Sequence, residues 1–204
     1  MTVSIAKAPS QDRGQRRVDR LLDAAADLIL VHGAEGLRMD MVAKHAATSP
    51  GSLYQFFPNR AALLTALAER YGAVIEAIAE RNVQGQAANP PASIEQAGRD
   101  FLTPFLAFYE ANPAYVILTE ASDRIFAGTG YAFGEDDQVS LKMKDVLQPF
   151  IASGHQTRLD IVCKLLIATT HAAIAAAVKL PTAAKRDWVT ELDALIIAYL
   201  RSLN

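Results

Sequence analysis

The sequence predicts an all-α protein of nine helices, three short and closely spaced at the N-terminal end and six longer ones after them. Three observations predict this. Apolar residues recur at three- and four-residue steps along most of the chain, as in Leu21, Leu22, Ala25, Leu28 and Ile29. Helix caps and helix-stopping Gly and Pro punctuate that pattern. No stretch alternates apolar and polar residues with the period of two that a half-buried strand needs. The chain has 204 residues and is 51% hydrophobic, enough to bury a real core.

The first helix runs from Arg16 to His32, and Gly33 ends it, because glycine best takes the left-handed conformation after a helix. A short second helix, Met39 to Ala46, turns Met39, Val42, Ala43 and Ala46 inward. In Ala47-Thr48-Ser49-Pro50, Ser49 is an N-cap and Pro50 suits the first helical position, where its missing N–H is unpaired anyway. The third helix therefore starts at Pro50 and ends near Phe56. Asn59 caps a fourth, from Arg60 to about Gln84, and Gly85 to Pro91 (GQAANPP) reads as the clearest loop. Ser93 caps a helix to Asn112; Pro104 inside it removes a hydrogen bond and is expected to kink it. Pro113 opens a helix to about Ser122, followed by a glycine-bearing loop over residues 123–133. Gly154 stops a helix begun near Glu135. Two last helices, about 156–179 and 182–203, flank Leu180-Pro181.

Net charge is −2, but its distribution is uneven: residues 1–60 hold eight Lys/Arg against six Asp/Glu, the rest twelve against sixteen. A basic N-terminal end on an acidic body points to nucleic-acid contact at that end. Cys163 stands alone, which leaves no internal disulfide and no cysteine-cluster zinc site and suits a reducing compartment. The start, Met1 to Gln15, lacks the apolar core of a secretory leader. The longest uncharged apolar run, Leu165 to Val178, is shorter than the roughly 20 residues a membrane span takes. A cytoplasmic protein with no membrane contact is expected. His32, His45, His155 and His171 have no metal-like spacing. Gly128-x-Gly130 followed by Gly134 has the wrong spacing for a dinucleotide fingerprint and no strand before it. No paired catalytic groups and no phosphate loop appear. The expectation is therefore no enzyme, no metal and no cofactor.

Two short helices joined by a three- or four-residue turn and packed on a longer one make a helix-turn-helix. The second of them, Pro50 to Phe56, would enter a DNA major groove. Its Leu53 and Phe56, with Phe57, can pack back on Leu21, Leu28, Val42 and Leu63, leaving Ser52, Tyr54 and Gln55 facing out. Within Arg16–Leu67 stand LLDAAADLI, HGAEG, MDMVAKHA and SPGSLYQFFPNRAALL, the last being the most specific. This stretch, about a quarter of the chain, resembles the DNA-binding domain of the TetR family of bacterial transcriptional regulators.

The resemblance implies a domain boundary near residue 60: a DNA-binding domain over 1–60 and an effector-binding and dimerisation domain over 61–204. It implies close backbone approach to DNA at Gly51, and phosphate contacts from Ser52, Tyr54 and Arg60. Arg38 opens the second helix, whose N-terminal N–H groups also favour phosphate. Thr48, Ser49, Pro50 and Gln55 are candidates for base edges, Gln55 being able to pair bidentately with adenine. Three features depart from the family's pattern: Ala47 where the turn usually carries glycine, Arg38 where Ser or Thr is frequent, and no Lys or Arg from Pro50 to Phe57. Charge for the DNA backbone must then come from Arg13, Arg16, Arg17, Arg20, Lys44 and Arg60. The tail before Arg16 is expected to order on DNA.

In the C-terminal part, Ile161, Leu165, Ala168 and Ala172 form one apolar stripe, and Trp188, Leu192, Leu195 and Tyr199, with Ile196 beside them, another. Two copies of these helices would make a four-helix homodimer interface, as the resemblance also implies. Phe101, Phe105, Phe108, Tyr109, Tyr115, Phe126 and Phe150, with His171, are candidates to line an effector pocket, and the scarcity of basic residues there favours an apolar or aromatic small molecule. Expected partners are thus a double-stranded DNA operator, a second copy and a small-molecule effector. The alternative is a constitutive DNA-binding dimer, or an adaptor controlled by a protein partner.

Overall fold

The structure is a computed structural model and describes residues 9–125 and 138–203. The helices are α1 (Pro9–His32), α2 (Met39–His45), α3 (Pro50–Phe56), α4 (Arg60–Ala88), α5 (Ile94–Ala111), α6 (Pro113–Glu120), α7 (Ser122–Ile125), α8 (Gln138–Leu147), α9 (Leu159–Val178) and α10 (Thr182–Arg201), and there is no strand among the described residues. Two 3-10 turns, Gln148–Phe150 and Ser153–Arg158, lie between α8 and α9. The all-α class is the one the periodicity predicts.

The chain divides into two units. One gathers the residues to Arg70 together with Ile117 to Ile125; the other holds Tyr71–Val116 and the described residues from Gln138 onward. The division falls inside α4 and inside α6, whereas the sequence suggested 60/61.

In the first unit, α2 packs on α1 and α3, and Leu21, Leu22, Ala25 and Ile29 of α1, Val42 and Ala43 of α2, Leu53 of α3 and Leu63, Leu64 and Leu67 of α4 are all buried. Each fully buried leucine contributes about 1.5–3 kcal/mol. Two glycines shape the α1–α2 turn. Gly33 takes φ +70, and a Cβ at Gly36 would lie 2.3 Å from the His32 carbonyl oxygen.

In the second unit, α5 packs on α8, α9 and α10, and α9 on α8 and α10. Gly98 sets the α5–α10 approach, since a Cβ there would lie 2.3 Å from Leu200 Cδ1. Arg99 grips Asp193 through two bonds of 3.1 and 3.0 Å. Arg201 donates to Glu95 at 2.8 Å, and that bond draws the Glu95 carboxyl down to about 2. Cys163 is buried, which pushes its thiol up to about 12 and leaves it a packing residue.

Several boundaries differ from expectation. α1 begins at Pro9 rather than Arg16. α4 runs through Gly85 to Ala88, so the loop begins only at Asn89; Gln86 helps hold this last turn by donating to the Ala97 carbonyl at 3.1 Å. α5 is one helix through Pro104. α6 stops at Glu120 rather than Ser122, and residues 123–125, expected as loop, belong to the helical turn Ser122–Ile125. α8 ends at Leu147 because Pro149 cannot continue it. The rest of the 123–133 loop, the start expected near Glu135 and Phe126 lie outside the described residues.

With its leading 3-10 turn, the segment Ser153–Ala177 has 25 residues, and an 18-residue window within it reaches a mean hydropathy of 1.6, long and apolar enough to span a bilayer by length and composition. That segment includes Arg158, Asp160 and Lys164, so the longest uncharged apolar run remains Leu165 to Val178.

Candidate nucleic-acid interface

The turn between α2 and α3 is a Schellman motif. Thr48 N–H donates to the Ala43 carbonyl at 2.9 Å and Ala47 N–H to the Lys44 carbonyl at 3.2 Å. That pattern requires a left-handed residue after the helix, and Ala47 supplies it with φ +49, the single positive-φ residue other than glycine among the described residues. The Ser49 hydroxyl then accepts from Ser52 N–H at 3.2 Å, and Pro50 takes the first helical position. Asn59 caps α4 in the same way, its Oδ1 accepting from Ala62 N–H at 2.9 Å. These two caps set the length of α3. Leu53 and Phe57 anchor it in the core, and Phe56 is half-buried.

The outward face of α3 carries Ser49, Pro50, Gly51, Tyr54 and Gln55, all exposed, with Tyr54 51% accessible, while Thr48 is half-buried. A Cβ at Gly51 would meet nothing within 4 Å, so packing in the free protein does not demand glycine there. Ser52 departs from expectation: its hydroxyl oxygen is buried with no hydrogen-bond partner, not turned outward. The reason is its place three residues after Ser49, where its N–H serves the cap and its side chain follows α3 inward.

The basic residues fall into two sets. Arg13, Arg16, Arg17 and Arg20 are exposed and, with Gly14, line one shallow surface along the N-terminal half of α1. Lys44 is exposed on α2. The others are engaged. Arg38 forks onto Asp40 at 3.1 and 2.8 Å and holds that carboxyl below the usual carboxylate range. Arg60 donates Nη1 to the Glu35 carbonyl oxygen at 2.5 Å, and Arg124 donates Nε to Glu35 Oε1 at 2.6 Å. Asp23 pairs with Arg70 at 2.7 Å and Asp27 with His45 at 3.1 Å. The head's carboxylates are thus largely occupied within it, which leaves the arginine row of α1 as its open positive surface. Glu35 and Arg124 were missed by sequence reading, because 89 residues separate them and neither stands in a periodic or motif position.

The candidate pocket residues behave mostly as core. Phe101, Phe105, Phe108, Tyr109 and Tyr115 are buried. Phe108, Tyr109 and Tyr115 meet edge to face at centroid distances of 5.3 to 5.9 Å, a favourable aromatic geometry. The Tyr109 hydroxyl lies 2.7 Å from His171 Nδ1, and burial pushes its ionisation far above the usual range, so it stays a neutral hydrogen-bonding group. Phe150 is half-buried in a 3-10 turn. A groove between α5, α9 and α10 is lined instead by residues such as Leu102, Leu106, Thr170 and Ile196, and narrows to about 30 Å³. Thr170 Oγ1 is buried there with no partner.

Six of the nine expected interface residues are exposed. Ile161 (70%), Leu165 (51%), Ala168 and Ala172 run along α9, and Trp188 (43%) and Leu195 (56%) along α10. Leu192 and Ile196 are corrected: they are buried within the protomer, since their side of α10 faces α5 and α9, and Tyr199 is half-buried.

An N-terminal helix-turn-helix with an exposed reading helix, followed by a larger helical domain, defines a DNA-binding protein of the helix-turn-helix class. The comparisons narrow the class. The profile of bacterial regulatory proteins of the TetR family matches residues 21–67. A TetR-family transcriptional regulator from Streptomyces coelicolor is similar over 92% of this chain and 99% of its own, at 25% identity and a TM-score of 0.62. The fatty acid degradation regulator FadR from Bacillus halodurans matches over 94% and 96%, at 18% identity and a TM-score of 0.61. FadR from Bacillus subtilis, solved in complex with stearoyl-CoA, matches over 89% and 96%, at 17% and 0.58. No curated protein matches the sequence. Residues 21–67 thus match the DNA-binding domain of TetR-family regulators, and the chain as a whole is similar in fold to a TetR-family transcriptional regulator.

Proposed function

We propose that the protein is a repressor that binds a pseudo-palindromic operator as a homodimer and releases it when a small apolar or aromatic effector binds the C-terminal domain. The observation that carries the reading is the outward face of α3. Gly51, Tyr54 and Gln55 stand exposed between two side-chain caps, and an open row of arginines lies on α1. In this reading α3 enters the major groove, Tyr54 and Arg60 hold phosphates, and Gln55 reaches base edges. Arg16, Arg17 and Lys44 add charge along the backbone. Arg38 contributes less than its position suggested, because Asp40 already neutralises it.

The exposed stripe of α9 and α10 supports a homodimer. A bilayer would need an apolar surface all round, whereas α9 carries exposed Asp160 and Lys164 and packs its other faces on α5, α8 and α10. Two-fold symmetry sets the two reading helices about 34–36 Å apart, in successive major grooves. The cytoplasm is the compartment that suits a DNA-binding regulator. The close mutual packing of the aromatic candidates favours a second reading, a constitutive or protein-controlled dimer without a small effector.

The deciding experiment is binding to the DNA upstream of the protein's own gene, titrated with salt, against random duplex and against a Tyr54→Ala, Arg60→Ala double variant. Specific binding lost in the variant supports the reading head, and binding no tighter than to random DNA there and in a selected library rejects it. A thermal-shift screen then separates the two readings, because a ligand of the native state raises Tm by mass action; compounds that raise Tm and release DNA support the effector.

A further inference from the structure

Glu35, in the turn after α1, is met by two arginines from distant parts of the chain. Its neutral backbone carbonyl holds Arg60 at 2.5 Å, while its charged carboxylate is taken by Arg124 at 2.6 Å. The two acceptors have different consequences for an arginine. A guanidinium carries five N–H donors, so one bond to a neutral carbonyl leaves Arg60 its full charge and most of its donors for a phosphate. A guanidinium forked onto a carboxylate has both its charge and its planar edge committed, the state in which Arg38 is held by Asp40. Arg60 is seated on the backbone of the very residue that bears the competing carboxylate. Once freed from Arg124, that carboxylate could reach Arg60 by side-chain rotation alone.

We propose that Arg124 is a positioning residue for DNA binding: by occupying the Glu35 carboxylate it keeps the Arg60 guanidinium available to a DNA phosphate. This rests on the reading of Arg60 as a phosphate contact. Arg124 itself need not touch DNA. It belongs to α7, far along the chain from the helix-turn-helix motif yet in the same unit, so the state of that segment bears directly on how strongly the head holds the DNA backbone.

The test measures affinity of the full chain for random-sequence duplex at low salt, where phosphate contacts dominate, for Arg124→Gln, Glu35→Gln, the Glu35→Gln, Arg124→Gln double variant and Arg60→Gln. Arg124→Gln should weaken binding by roughly 1.4- to 5-fold per head, the range of exposed ion pairs, and about the square of that for two heads on one duplex. Glu35→Gln should bind at least as tightly as wild type, and the double variant should match it, because without the carboxylate no decoy is needed. The losses should shrink as salt is raised. A simple strap between α7 and the turn predicts the opposite for Glu35→Gln, which would then be as weak as Arg124→Gln; that result, or an Arg124→Gln variant equal to wild type, overturns the proposal. If Arg60→Gln binds as well as wild type, the phosphate role of Arg60 itself has failed; if Arg60→Gln is weak while Glu35→Gln tracks Arg124→Gln, only the decoy has. Circular dichroism melts of each variant separate lost affinity from lost fold.

Discussion

Ala47 holds the left-handed position of the α2–α3 turn with an L side chain, at φ +49. Such a conformation costs an L-residue about 1–2 kcal/mol, while glycine loses more chain entropy on folding, offsetting about 0.4–1 kcal/mol of any gain. Ala47→Gly should therefore stabilise the protein by about 0.5–1 kcal/mol, raising Tm by about 1–4 °C for a chain of this size. A thermal melt checks it, and an unchanged or lower Tm would mean that the turn carries no strain to relieve. Gly51 is the opposite case. Open space surrounds its missing Cβ, and alanine is the better helix former, so Gly51→Ala should leave Tm equal or higher. If the α3 backbone approaches DNA closely, the added methyl should still weaken operator binding, by about tenfold or the equivalent of about 1.4 kcal/mol. Equal affinity in a filter-binding or anisotropy titration would remove Gly51 from the interface.

At the scale of elements, local chemistry was legible and tertiary chemistry was not. Ser49-Pro50, Asn59 and Gly33 fix the ends of their helices through bonds to near neighbours, and each stands where the sequence placed it. Gly85 misled, because a glycine inside a helix costs only about 1 kcal/mol and the contact of Gln86 with Ala97 offsets it. The inward turn of the Ser52 hydroxyl and the meeting of Glu35 with Arg124 depend on neighbours that no local pattern reveals. The N-terminal half of α1 lies between these cases. The sequence marked its arginines but read the segment before Arg16 as a tail, whereas it is helical from Pro9. None of its described side chains before Leu21 is buried, so packing contributes little to holding it, and an isolated helix this short is marginal. Contact with DNA phosphates would supply the missing stabilisation. Replacing Arg13, Arg16, Arg17 and Arg20 together by Gln should flatten the dependence of log K on log salt by about 0.9 for each arginine that neutralises a phosphate. The loss should be the same on operator and random duplex, since these contacts carry no sequence information. An unchanged slope would show that the row faces away from DNA.

For the whole molecule, the question is what covers the apolar stripe of α9 and α10. The stripe is not a by-product of core packing, because each helix already buries a different face within the protomer: Val162, Cys163 and Leu166 on α9, and Leu192, Ile196 and Leu200 on α10. Ile161 and Leu165, at 70% and 51% exposure, lie outside that core, so charging them should leave the fold of one copy intact while making an apolar interface between two copies unfavourable. Ile161→Glu with Leu165→Glu should therefore keep the helical circular dichroism spectrum and give a monomer by light scattering where the wild type gives a dimer. DNA binding supplies a second, independent readout. Joining two heads makes the second contact intramolecular and raises avidity by about 10²–10⁴, so the monomer should lose operator affinity on that scale while keeping weak, salt-sensitive binding to any duplex. A variant that remains dimeric would place the interface elsewhere. A wild-type monomer that sediments with phospholipid vesicles, and a charged variant that does not, would instead assign the stripe to a membrane and return Ser153–Ala177 to the reading its length and hydropathy allow.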